Sequence, residues 1–321
     1  MKRIVLFLFL VQLVSFVSLA QELYPNTESA SNVPKGVFGI KPTVELFKEV
    51  SIARNEFSLK LMYGLTSRWT FYAEPFVSNH HDTILPKNLI THTHLGNGTQ
   101  FYTNQVKYGL LYPYLFDGFY FYSKYRIISS DGEDEHFRVA LYGEYSTAKV
   151  AHDEAEPELE GDNGGYGYGF IITRLKSRLA VTLSSGIIIP NDYHENRADE
   201  YVPSYIYSTT LKYGKAVKYG LSFGYLLYPK EYKNYNEINW NVYVELMGKS
   251  YGVAEVTQNN ENIAVLASPL KAGYYLEMYP GIQKIYNSNS RLDFSFGFNV
   301  LNRSWIHFYP LYRVGWVHYF Y

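Results

Sequence analysis

The chain has no cysteine. That excludes disulfides, thiolate metal sites, a cysteine nucleophile and a lipid-anchored N-terminus. An excess of basic charge is missing too: removing Lys2 and Arg3 from 29 Lys and Arg leaves 27, against 30 Asp and Glu. Nothing in this balance favours nucleic acid. After Ala20 no run approaches the roughly 18 consecutive apolar residues that a spanning helix needs. Helical periodicity is likewise absent after that point, so neither a helical bundle nor a helical membrane anchor fits.

What is present begins with a secretion signal. Lys2 and Arg3 precede an almost wholly apolar run from Ile4 to Val17, and Ser18-Leu19-Ala20 before Gln21 supplies small residues for cleavage. Residues 1–20 are therefore expected to be removed, with 21–35 a periplasmic N-terminal segment and 36–321 the folded body.

That body is dominated by alternation of period two. Leu292, Phe294, Phe296, Phe298 and Val300 are interleaved with Asp293, Ser295, Gly297 and Asn299, so one face is greasy and the other small or polar. The same pattern recurs in Trp69–Ser78, Phe119–Ile127, Phe137–Tyr145, Leu179–Ile189, Val217–Leu227 and Ile238–Leu246. These segments match the 9–11 residues, approximately, of a transmembrane strand rather than the 5–6 or so of a soluble sandwich. The 34 Tyr and 20 Phe suit aromatic girdles at two membrane interfaces.

Connections come in two sizes. Those at Leu65–Ser67, Asp131–Glu135, Leu175–Ser177, Tyr228–Asn236 and Asn287–Ser290 are short, whereas those near 79–105, 150–164, 190–210 and 250–270 are long. Bacterial barrels have short periplasmic turns and longer external loops, which places both termini in the periplasm and forces an even strand count. The expected fold is all-β: a transmembrane antiparallel up-and-down β-barrel of about 12 strands (range about 10–14) in the bacterial outer membrane. Val317, Tyr319 and Tyr321 give the last strand the terminal aromatic character read by barrel-assembly machinery.

Leu23–Gly36, Met62–Thr66 and the loop His152–Pro157 with Gly161–Asn163 resemble outer-membrane barrels of Bacteroidetes-type bacteria. Those are related to the transporter-like family labelled for the MetA pathway of phenol degradation. The resemblance implies an outer-membrane location and passage of small organic solutes, without implying phenol chemistry.

Ten charged residues fall on the expected lumen face: Lys60, Glu74, Lys124, Arg126, Arg138, Glu144, Lys218, Glu245, Glu277 and Asp293. They fit either an ion-pair network bracing the wall or a charged constriction beside an open path. His80, His81, His92 and His94 crowd one long loop and are candidate metal ligands. Asp153, Glu154, Glu156, Glu158, Glu160 and Asp162 form an acidic loop without EF-hand spacing; it reads as a solvated loop, as one bridged by divalent ions to lipopolysaccharide, or as one that captures cations at the mouth. Ser304 and His307 are the residues a lipid hydrolase would use, but no distinctive nucleophile context surrounds them. The expected function is a passive channel or transporter for small solutes, with no cofactor and no enzymatic activity. The alternatives are a non-conducting barrel with binding loops and a lipid-modifying enzyme. Expected partners are membrane lipid and lipopolysaccharide, the assembly machinery and the solutes.

Overall fold

A computed structural model describes residues 23–321, apart from 50–51, 82–84, 86–92, 95–105, 108–111, 199–201, 203, 232–236, 265–267 and 305–306. The signal peptide lies outside the described residues. Twelve strands close into a barrel: β1 (Phe38–Glu49), β2 (Ile52–Thr66), β3 (Trp69–Ser78), β4 (Leu115–Asp131), β5 (Glu135–Lys149), β6 (Asn163–Lys176), β7 (Leu179–Pro190), β8 (Ala216–Tyr228), β9 (Asn239–Tyr251), β10 (Gly273–Tyr286), β11 (Ser290–Asn302) and β12 (Leu311–Phe320). Every neighbour in the barrel is antiparallel and next in the series, and β12 returns to β1 with Phe38 opposite Phe320 and Val44 opposite Val314. Closure leaves no strand edge with unpaired backbone groups, as a hydrocarbon environment demands.

Alternation sets the two faces. Phe119, Phe121, Phe294 and Phe296 lie exposed on the outer surface, while Ser222, Glu245, Asp293 and Ser295 are buried inside. This inverts the arrangement of a water-soluble protein and makes the exterior compatible with lipid.

Two stretches long enough for either one strand or two, 99–128 and 201–228, bear on the strand count. Among the described residues, 99–128 supplies β4 alone to the barrel and 201–228 supplies β8 alone; Ile206–Lys212 joins a separate four-stranded sheet with Tyr193–Ala198, Glu255–Gln258 and Glu261–Ile263. This sheet is built from the β7–β8 and β9–β10 connections. It packs at the end of the barrel opposite the chain termini.

Two expectations need correction. The turn between β2 and β3 is Ser67–Arg68, not Leu65–Ser67; Gly64 too is in the strand, hydrogen-bonded to Gly36 and Val37. The aromatic excess does not all go to girdles, because Tyr72, Tyr120, Tyr122, Tyr142, Tyr243 and Tyr279 are buried in the lumen. On β12, Val317 and Tyr319 are buried inside, and the outward aromatics are those of the other parity, including Phe320.

The N-terminal segment is not a free extension. Residues 24–33 lie inside the barrel, in contact with the wall from β1 to β12. Their sequence, rich in Asn, Thr and Ser, is made for hydrogen bonding to a polar lumen rather than for pairing as another strand.

Candidate functional site: the filled lumen

The belt formed by residues 24–33 is held strand by strand. Lys41 on β1 donates to the Pro25 carbonyl at 2.8 Å. On β9, Glu245 accepts from the Asn26 and Thr27 backbone N–H groups at 3.2 and 2.6 Å. Ser222 on β8 bonds the Thr27 hydroxyl at 2.8 Å. Thr173 on β6 accepts from the Ala30 N–H at 2.9 Å, and Thr70 on β3 from that of Val33 at 3.1 Å.

Glu28 is the belt's only charged residue between 24 and 34. Its carboxylate sits 2.9 Å from Lys124 Nζ and 3.3 Å from Lys60 Nζ, and accepts from the Tyr72 hydroxyl at 2.9 Å. Burial alone would raise the pKa of this carboxyl, but the Lys124 and Lys60 charges outweigh it and hold it below the usual range. Lys60 also reaches Glu74 at 3.7 Å. Arg138 on β5 donates to the Ser31 hydroxyl at 2.9 Å and pairs with Asp131 at 2.8 Å. Arg126 turns to the short-turn end of the barrel, where it donates to the Ser67 carbonyl at 2.9 Å.

The remaining charges brace the wall or bind a second inward element. Lys218 and Glu144 pair at 2.6 Å across β8 and β5, with the Tyr120 hydroxyl donating to the same carboxylate at 2.7 Å. Asp293 is pinned by Arg291 at 3.0 Å and by Gln283 at 2.7 Å. Glu277 accepts from His307 Nδ1 at 2.8 Å and from the Tyr309 and Tyr279 hydroxyls at 2.6 and 2.7 Å.

The second inward element is the acidic connection 150–162 between β5 and β6. Glu156 meets Lys249 Nζ at 2.9 Å and His307 Nε2 at 2.8 Å, and Lys249 also pairs with Glu158. This loop does not stand as a solvated arm: Ala155, Leu159 and Asp153 are buried. At its far end Asp162 Oδ1 receives His81 Nε2 at 2.7 Å and His80 Nε2 at 3.2 Å. The donor atoms of His80, His81 and Asp162 lie within 4.8 Å of one another. His92 is outside the described residues; His94 lies in a two-residue strand paired with Val106–Lys107.

Between belt and loop is a cavity of about 380 Å³, bounded by Asn26 and Glu28 on one side and by Glu156, Glu160 and Asp162 on the other. One wall is a ladder of tyrosines: Tyr72 stacks on Tyr122 at 5.3 Å and Tyr122 on Tyr142 at 5.2 Å between ring centroids. Lys60 and Lys218 lie over the end rings at 5.2 Å each. A cavity of this size suits a small molecule, and its stacked rings and mixed charges offer both apolar and ionic contacts.

Ser304 and His307 do not form a nucleophile–base pair. The Ser304 hydroxyl donates to Asn302 Oδ1 at 2.8 Å, and both His307 ring nitrogens face carboxylates. A ring donating from both nitrogens has no lone pair with which to act as a base.

Sequence reasoning found residues of the wall but missed Glu28, Lys41, Glu45, Lys249, Arg291 and Arg313. The ten charges read from alternation contain five acids and five bases, so their balance gave no hint that a loop and a belt enter the lumen. The signal that was available lies in the belt itself: a short polar stretch, with small hydrogen-bonding residues and one acid, immediately before the first strand.

No family model matches the chain, and no curated protein does. Among solved structures, it is similar to the COG4313 outer membrane channel from Pseudomonas putida F1, with 10% identity over 92% of this chain and all of that one, at a TM-score of 0.57. It also aligns with the NanC porin, at 9% identity over 88% of this chain and all of that one (TM-score 0.42). The β domain of the Bordetella autotransporter BrkA aligns at 12% identity over 88% of this chain and 99% of that one (TM-score 0.42). The first of these likenesses establishes the fold, which is that of an outer-membrane β-barrel.

Proposed function

We propose that this protein is a passive channel for small solutes whose path is narrowed by its own N-terminal belt and by the 150–162 loop. The barrel sits in the bacterial outer membrane, as an apolar exterior around a polar lumen requires. The termini and short turns face the periplasm and the long connections face outward. The observation that carries the reading is the cavity of about 380 Å³ inside the closed wall, lined by charges of both signs and stacked tyrosines. An interior built only for bracing would leave no such space.

Kinship with the transporter-like family named for the MetA pathway, and a Bacteroidetes-type origin, belong to the same reading. They rest on the start of the mature chain, Met62–Thr66 and the 152–163 loop. The acidic residues Glu45, Glu56, Glu74, Glu156 and Glu160 around the cavity favour neutral or cationic solutes over anions. Recognition by the assembly machinery through β12 is part of the proposal, and so is contact of the outer loops with lipopolysaccharide.

The test is solute-dependent swelling of liposomes carrying the purified full chain, paired with planar-bilayer conductance. Small, cation-preferring conductance is expected. Absence of conductance both in the native protein and after Glu245→Ala, which loosens the belt, would overturn the channel reading.

A further inference from the structure

Asp162 is surrounded by three imidazoles. His80 and His81 are consecutive residues just beyond the end of β3, and both aim Nε2 at Asp162 Oδ1. His152, at the start of the loop that ends at Asp162, places Nδ1 4.0 Å from the other carboxylate oxygen. Four potential ligands from two separate connections thus converge at the loop end of the lumen.

The His152 contact is the informative one. Its Nε2 lies 2.8 Å from the Glu156 carbonyl oxygen, which can only accept, so Nε2 carries the proton. In the neutral ring Nδ1 is then a bare lone pair, and it faces a carboxylate oxygen that also offers only lone pairs. Two such atoms gain nothing from one another directly and are well placed to share a cation. A ligating histidine whose other nitrogen donates to a backbone carbonyl is the usual way a protein orients such a ring.

Distances agree with a small divalent ion. With bonds of about 2.0–2.1 Å, tetrahedral ligand atoms are about 3.3 Å apart; the ligand atoms of His80, His81 and Asp162 lie within 4.8 Å of one another, and His152 Nδ1, 4.0 Å from Asp162 Oδ2, joins them by a side-chain rotation. Three nitrogens and one carboxylate oxygen, with no thiolate in the chain, suit zinc and its neighbours rather than calcium or magnesium.

We propose that His80, His81, His152 and Asp162 form a binding site for a divalent transition-metal ion of the zinc class. The ion ties the β3–β4 connection to the 150–162 loop. It thereby fixes that loop across the lumen, whether or not the lumen conducts. Of the four histidines singled out in the sequence, His80 and His81 belong to this site, and the other ligands come from the acidic connection 70 or more residues away.

The experiment is titration of the full, tag-free protein in detergent micelles with Zn²⁺ by calorimetry, and with Co²⁺ by its visible absorption. One equivalent is expected to bind, with the intense bands of tetrahedral Co²⁺. Asp162→Asn and His81→Ala are expected to lower affinity by at least about 100-fold, beyond what loss of an orienting partner costs, while His194→Ala, at an exposed histidine of the separate four-stranded sheet, leaves it unchanged. Heat-modifiable gel migration reports folding of each variant. Should Asp162→Asn fail to fold, His152→Gln keeps the donor to Glu156 and removes only the ligand. No stoichiometric Zn²⁺ binding, or binding equally tight in the native protein and in His152→Gln, would overturn the site.

Discussion

Thr27 and Glu245, 218 residues apart in sequence, meet inside the barrel through a backbone N–H donated to a carboxylate oxygen at 2.6 Å. The same carboxylate takes the Asn26 backbone N–H at 3.2 Å and its side-chain amide at 3.0 Å. One wall residue therefore anchors the middle of the belt. Hydrogen bonds to a charged group contribute about 1.5–3 kcal/mol each. Glu245→Ala is expected to free this part of the belt while leaving the barrel closed, and so to raise single-channel conductance and admit larger solutes in liposome swelling. Unaltered conductance in a folded variant would show that the belt does not limit the path.

Gly64 fixes the entry of the belt. A Cβ there would lie 2.0 Å from the Pro34 carbonyl oxygen and 2.5 Å from that of Val33, both backbone atoms that cannot swing away. Gly64→Ala is expected to displace Val33–Pro34 and cost about 1–3 kcal/mol, as overpacking does. Gly143→Ala, whose Cβ meets only the Gly167 carbonyl at 4.0 Å, serves as the control. Denaturant midpoints of the two variants in the same detergent should separate; equal midpoints would sink the argument.

The Lys218–Glu144 pair is an internal brace with the acid fully buried. Removing the cation alone strands a buried carboxylate, at a cost of about 3–5 kcal/mol, whereas replacing both partners by apolar groups of similar volume is close to neutral. Lys218→Met is therefore expected to be much less stable than the double variant Glu144→Leu with Lys218→Met. If the double variant proves the weaker, the pair is worth more than its desolvation.

His307 links Glu156 on the inward loop to Glu277 on the wall. Burial would lower its pKa, but the Glu156 charge and the hydrogen bonds to both carboxylates push it up to about 10. Because the folded value lies above the unfolded one of about 6.5, the stabilisation is complete below about pH 6.5 and is lost as pH rises through about 10. Protease cleavage within residues 150–162 should accelerate over that interval. In His307→Gln the pH dependence should disappear; its persistence there would assign it to another group.

The wall was legible because strand alternation is local. Phe294 lies outside and Asp293 inside for a reason contained in five consecutive residues, since side chains of a pleated strand point to opposite faces with period two. The even strand number and the split into short turns and longer connections followed from the same reading. One detail escaped it: the connections 50–51 and 303–310 are short although they lie at the end with the long loops.

The contents of the lumen are of another kind. Whether Glu28 meets Lys60 and Lys124, or Asp162 meets His80 and His81, depends on barrel closure, strand register and the inward path of two segments, none of which leaves a periodic trace. By itself the sequence determined a lipid-compatible wall around a polar interior, because that choice is made residue by residue. Only the tertiary structure decided that the interior is filled by the chain's own belt and acidic loop, because burying those charges is tolerable only where partners from distant strands arrive together.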